Sequence, residues 1–262
     1  MKVLVLTSSV TGIAAYAVPL LFNENSIQLS GVVLNEGQIV KKNNFLKKKV
    51  NKILKIGLLG ALNGIRMRNW FGKDAERFLS TADLEKFCHE HNIPFERTPS
   101  INCEITKKLL HKANADIGIS LGNSYIGKSI FSIFPMGMIN IHGEVLPAYQ
   151  NAQSIIWQLY NGYNKTGFTI HKINQKIDQG DILYQEIFPI IFKDTLAKTV
   201  SYNCVQITKK ACDGLIKVLK DFNAYNLNVT KQRAGNSYTT PSWTQYQKIK
   251  KQFYMLKRSS LN

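Results

Sequence analysis

The chain has 262 residues, 44% of them hydrophobic, and a formal net charge of +17. That length allows one large domain, or one domain with an appendage, and a core that removes most of the unfolded surface from water. No apolar run reaches the roughly 20 residues that a membrane helix needs, so no helical span is expected.

The charge is unevenly placed. Residues 37–73 hold ten Lys or Arg and no acid, and residues 222–262 hold seven and again no acid, which together account for the whole excess. Such a field favours anionic partners. A chain rich in Lys and Asn throughout has this look without binding nucleic acid, so no nucleic-acid partner is expected. The four cysteines, Cys88, Cys103, Cys204 and Cys212, form no CxxC pair, and neither a zinc knuckle nor a redox motif is suggested. Cys204 and Cys212 share one face of a helical pattern and read as small core residues.

In chain order, KVLVLT (2–7) reads as a buried parallel strand. The start lacks the long apolar core and cleavage site of a signal peptide, so a cytoplasmic protein is expected. A helix follows across AAYAVPLLF, disturbed by Pro19, and then a strand at 27–34. Strand, helix, strand opens an α/β fold. Residues 37–73 interrupt it as a basic, partly helical insert. Within it, LLGALNG (58–64) lacks a phosphate loop's Gly-Lys-Ser/Thr ending and reads as a turn. The rhythm resumes with a helix at 83–92, capped by Asp83 or Thr81, and a short strand PFERT. An amphipathic helix EITKKLLHKAN precedes strands at 116–122 and 138–142. A helix at 152–161 comes next, then strands at 166–173 and 181–190. Asp194-Thr195 caps a long helix to about Phe222. A short, polar, Tyr-rich tail with YTTPSW ends the chain. This organisation divides into 1–190 and a C-terminal helix and extension, 191–262.

Two strand ends carry unusual polar content, and ligands of an open parallel sheet bind beyond such ends. In MINIHGEVLP, Asn140 and His142 alternate with Ile139 and Ile141 and so leave one face of the strand. Buried polar groups need partners or a task. In KIDQGDIL, Asp178 sits in a Gly-containing loop before a strand. An amide donor, an imidazole and a carboxylate can stabilise an oxyanion and relay a proton. Read from composition alone, His142 is as well explained as a satisfied core histidine and Asp178 as a turn former. His171 is expected to be structural, His89, His91 and His111 solvated, and Trp157 part of the core. No cluster has metal spacing, and no metal is expected.

The stretch Asn140–Leu183, NIHGEVLPAYQNAQSIIWQLYNGYNKTGFTIHKINQKIDQGDIL, resembles the signature of the folate-dependent formyltransferases. That signature runs Asn-x-His, Leu-Pro-x-Tyr, an aromatic-bearing helix, Asn/Asp-Gly, Thr-Gly-x-Thr-Ile and Asp-x-Gly-Asp-Ile-Leu. The resemblance implies a Rossmann-like formyltransferase fold with a mostly parallel sheet and a small C-terminal extension. It implies formyl transfer from N10-formyltetrahydrofolate to an amine, with Asn140, His142 and Asp178 as catalytic groups. The folate would lie near Leu121, Gly122, Asn123, Ile177 and Asp181.

Two departures concern the acceptor. Glu144-Val145-Leu146-Pro147 stands where many members have Ser-Leu-Leu-Pro, and Tyr149-Gln150-Asn151 where many have Tyr-Arg-Gly. Glu144, Tyr149, Gln150, Asn151 and Gln153 are therefore the expected acceptor contacts. The resemblance is nearest to nucleotide-sugar N-formyltransferases, which implies a nucleotide-linked amino sugar as acceptor, a homodimer, and a place in surface polysaccharide synthesis of the O-antigen type. The alternative is a methionyl-tRNA formyltransferase-like enzyme without that group's C-terminal barrel. Glycinamide ribonucleotide is expected least, because TSSVTGIAAY lacks the Gly-Ser-Asn spacing of its phosphate loop.

Overall fold

The structure, a computed structural model, describes residues 1–37, 42–152 and 155–260. In chain order its elements are β1 (Lys2–Thr7), α1 (Ile13–Asn23), β2 (Gln28–Asn35), α2 (Lys42–Phe71), α3 (Lys73–Leu79), α4 (Leu84–Glu90) and β3 (Phe95–Thr98). Then come α5 (Glu104–Ala113), β4 (Ile117–Leu121), α6 (Lys128–Phe131), β5 (Met138–His142), α7 (Ile156–Tyr160), β6 (Lys165–Lys172) and β7 (Ile182–Pro189). The chain closes with α8 (Leu196–Lys220), α9 (Phe222–Leu227) and α10 (Trp243–Ser259).

The strands form one seven-stranded sheet in the order β3-β2-β1-β4-β5-β6-β7. Pairs from β3 to β5 are parallel, while β6 and β7 run antiparallel. The sheet is thus mostly parallel, as expected. Its parallel strands are apolar on both faces because helices cover both. Val3 and Val5 of β1 point into a cluster with residues of α1, α8 and α10, and Leu4 and Leu6 into a second cluster with residues of α5 and α6. The long helix α8 starts at Thr195, whose side chain accepts from the Lys198 N–H. It buries Val200, Leu215 and Val218 completely, each adding about 1.5–3 kcal/mol of transfer free energy.

Three sequence expectations need correction. LLGALNG is helical, part of α2, and the break lies just before it at Gly57, where φ is 74°. Gly60 and Gly64 serve close packing instead. A Cβ on Gly60 would sit 3.2 Å from Ser242 Cα, and one on Gly64 2.6 Å from Thr240 Cγ2. Of the helix expected over 152–161, Ile156–Tyr160 is helical, and residues 153–154 lie outside the described residues. The polar tail contains α10, opened by a capping box in which Ser242 and Gln245 satisfy each other's backbone N–H. Helix α10 packs on α7 and α2. Its Ile249 and Phe253 join the same cluster as Val3. Packing therefore continues across the line expected at 190/191.

Candidate active site

The site begins with strand alternation. Met138 of β5 is buried beneath α6, and Asn140 and His142 follow on the same face. There the helical cover ends. The face opens on a cavity of about 480 Å3 beyond the carboxyl ends of β4 and β5, lined by Asn140, His142, His171 and Asp178 together with residues 122–126, 173–174 and 176–177.

His171 belongs to this group although the sequence reading set it aside as structural. In the antiparallel pairing of β5 with β6 it lies directly opposite Asn140. Its Nδ1 is 2.8 Å from the Lys172 carbonyl, which can only accept, so Nδ1 carries the hydrogen. Its Nε2 is then an acceptor, 3.2 Å from Asn140 Nδ2. Burial pushes the His171 pKa down to about 4, and the ring stays neutral near pH 7. Asn140 thus gives one amide hydrogen to His171 and keeps the other for the cavity.

His142 is fixed in a similar way. Its Nε2 is 2.9 Å from the Tyr149 carbonyl and therefore donates. Its Nδ1 faces Asp178 Oδ2 at 3.7 Å, while Asp178 Oδ1 lies 3.8 Å from His171 Nε2. Both separations are longer than a hydrogen bond. Asp178 is held by accepting the Asn151 backbone N–H at 2.9 Å. It occupies the left-handed region with φ 54°, which Asp tolerates better than most residues. Asn174 braces the same loop, accepting from Lys176 N at 2.8 Å and donating to Gln179 O at 3.0 Å. Gly180 closes it against β6. A Cβ there would sit 1.7 Å from the Lys172 carbonyl oxygen, so no side chain fits.

The loop after His142 is tied from two sides. Thr169 Oγ1 donates to the Glu144 carbonyl at 2.7 Å and accepts from Leu146 N at 3.1 Å. From the other side, Gln150 N donates to Asn236 O at 2.9 Å and Tyr238 N to Gln150 O at 3.0 Å. The Tyr149 and Tyr238 rings stack at 5.5 Å, and Trp157 Nε1 donates to Thr239 O at 3.1 Å. The YTTPSW segment is thus a brace behind the carbonyl that holds His142.

On the expected folate side, Gly122, Asn123 and Ile177 line the cavity, but Leu121 and Asp181 do not. Leu121 is buried in the core. Asp181 uses its carbonyl to accept the Lys172 N–H at 2.9 Å. Of the expected acceptor contacts only Asn151 reaches the cavity, and Gln153 lies outside the described residues. Tyr149 and Gln150 are buried in the braced loop. Glu144 is also sealed from solvent. Gln158 Nε2 donates to one carboxyl oxygen of Glu144, and the other has no hydrogen-bond partner among the described residues. Burial lifts its pKa to about 8, so a hydrogen stays on the carboxyl near pH 7. Its departure from the usual motif residue is a feature of the interior.

Two findings were missing from the sequence reading: His171 as a partner of Asn140, and the Tyr238 brace. His171 did carry a signal. It follows Phe168 and Ile170 with the same polar-apolar alternation that singled out Asn140 and His142.

Fold and site together define an α/β protein with an amide, an imidazole and a carboxylate gathered at a carboxyl-end crevice. The chain belongs to the formyl transferase family, whose model matches residues 74–213, more than half of its length. It is 35% identical over 147 residues to a methionyl-tRNA formyltransferase of Buchnera aphidicola subsp. Baizongia pistaciae, a match covering 56% of this chain and 44% of that enzyme. The chain therefore spans about half the length of such relatives. Among solved structures it resembles glycinamide ribonucleotide transformylase 1 from Symbiobacterium toebii, with a TM-score of 0.59 and 15% identity over 90% of this chain and 92% of that one. It also resembles the N-formyltransferase from Helicobacter canadensis, solved with folinic acid and dTDP-3-aminofucose. There the TM-score is 0.56 and the identity 17%, over 99% of this chain and 82% of that one. These structural likenesses establish the fold.

Proposed function

We propose that this chain transfers a formyl group from N10-formyltetrahydrofolate to the primary amine of a nucleotide-linked amino sugar, as a cytoplasmic homodimer serving surface polysaccharide synthesis. The observation that carries the formyl-transfer reading is the convergence of Asn140, His142 and Asp178 on one cavity. The cavity suits a pterin, whose edge alternates donors and acceptors. Asn123 Oδ1 is buried there without a partner among the described residues, while its Nδ2 donates to Leu6 O at 2.7 Å. Lys176 on the rim offers a cation to a folate carboxylate.

N10-formyltetrahydrofolate, as co-substrate, supplies the activated formyl carbon. The protein's groups divide the remaining work. The free N–H of Asn140 and the imidazole of His142 stabilise the formyl oxygen as it gains negative charge. Asp178 takes a proton from the attacking amine, directly or through water. The new bond joins the amine nitrogen to the formyl carbon. The bond from that carbon to the folate nitrogen breaks, and the proton returns to that nitrogen. His171 acts on Asn140 only, as a positioning residue.

A sugar acceptor is supported by the likeness over 99% of the chain, C-terminal helix included, to an enzyme solved with a nucleotide amino sugar. A second reading, methionyl-tRNA as acceptor, is favoured by the names of the sequence relatives. Purified protein with formyl-folate should formylate a member of a panel of nucleotide amino sugars and leave methionyl-tRNA untouched. Turnover of methionyl-tRNA with none of any sugar would overturn the acceptor, and no turnover of any amine would overturn formyl transfer.

A further inference from the structure

Helix α2 is apolar on two faces, and only one of them is used. Ile56, Gly60, Asn63, Met67 and Trp70 recur every three or four residues and are buried or nearly so, with Gly60 and Gly64 pressed against residues 240–242. On the outward side, Leu58, Leu62 and Ile65 recur at the same helical spacing after the break at Gly57, and Val50 and Leu54 do so before it. These outward residues are exposed, Leu54 by 77%, Leu58 by 67% and Ile65 by 60%. Exposed aliphatic residues grouped on the outer side of one element in this way mark a docking site.

The charge of the segment that carries these residues says what docks. Residues 37–73 carry ten Lys or Arg and no Asp or Glu. Arg66 and Arg68 flank the stripe and are exposed. We infer that the outer face of α2 seats this protein on an anionic lipid surface, with the aliphatic stripe entering the headgroup boundary and the cations meeting lipid phosphates. A second copy fits poorly, because a two-fold contact sets a patch against itself and would oppose two acid-free segments. Nucleic acid fits poorly too. Its phosphates ask for cations and give exposed leucines nothing to cover them. No helix among the described residues is long and apolar enough to cross a membrane, so the contact is one of lying on the surface. It is independent of which amine accepts the formyl group.

The test is co-sedimentation with vesicles of phosphatidylcholine containing one-third phosphatidylglycerol, against vesicles of phosphatidylcholine alone. The protein should pellet with the anionic vesicles, less so in half-molar salt. L54Q/L58Q/L62Q should weaken that binding by at least about tenfold with its melting temperature and turnover intact. If the triple variant unfolds, Leu54→Gln alone, at the most exposed position, should still give a measurable loss. The inference is overturned by equal binding to both vesicle types, or by a variant that binds as the parent does. It is equally overturned if sedimentation velocity shows the parent dimeric and the variant monomeric, or if the variant loses RNA binding and not vesicle binding.

Discussion

The cavity at β5 and the outer face of α2 invert the usual partition of residues in opposite ways. At the cavity, polar groups are buried: His171 is 3% exposed, and the His142 and Asp178 side chains are 13% and 11% exposed. On α2, aliphatic groups are exposed. The first inversion is compensated within the chain, since Asn140, His142, Asp178 and His171 are each oriented by a neighbouring group. The second has no compensation among the described residues. A buried polar group with internal partners points to chemistry on a small ligand, and an exposed apolar group without them points to a large surface outside the chain.

Substitutions can break this contrast. His142→Ala should lower kcat by at least about a hundredfold, and Asp178→Asn similarly, while circular dichroism still shows a folded chain. Parent-like turnover in either variant would remove that residue from the chemistry. His171→Ala takes away one neutral hydrogen bond to Asn140. Such a bond is worth roughly 0.5–1.5 kcal/mol, so kcat should fall about three- to tenfold with KM little changed. His171→Gln, whose carbonyl can accept the same N–H, should recover part of the loss. If KM rises and kcat holds, His171 is not positioning Asn140.

Glu144 tests burial without catalysis. Its pKa in the folded chain is raised to about 8 from 4.5. Between those values the folded chain binds the proton more tightly than the unfolded one, so stability falls as pH rises through that window. Glu144→Gln removes the slope. Its melting temperature should match the parent's near pH 4.5 and exceed it by roughly 10 °C at pH 8. A variant less stable than the parent at pH 8 would show that the carboxylate is charged and paired. The smallest effect is expected for Ile65→Gln, where an exposed side chain should change stability by no more than about 0.5 kcal/mol. Loss of turnover there, with a freely diffusing acceptor, would tie α2 to the chemistry.

The alternation of Asn140 and His142 with isoleucines marked the strand end as unusual but left a core histidine equally open, and the likeness of residues 140–183 to the formyltransferase signature tipped the reading. The parallel strands were legible from local sequence pattern. His171 was hidden because its meaning depends on the antiparallel register with β5, a non-local fact. The same holds for Glu144, which looked like an acceptor contact beside His142 until Gln158 was seen to cover it. Gly60 and Gly64 read as turn formers because a glycine's local freedom is visible in sequence, while the backbone that presses on it comes from residues 240–242.

The brace has a consequence for synthesis. The bond from Trp157 to Thr239 links residues 82 positions apart. A ribosome adding roughly 5–20 residues per second needs roughly 4–16 s to cover that interval. Strands β1 to β5 are made before that interval and β6 and β7 within it, so the loop after His142 can gain its tie to Thr169 early but not its second tie until Tyr238 and Thr239 emerge. The nascent polypeptide therefore completes its sheet before the loop after His142 is braced on both sides.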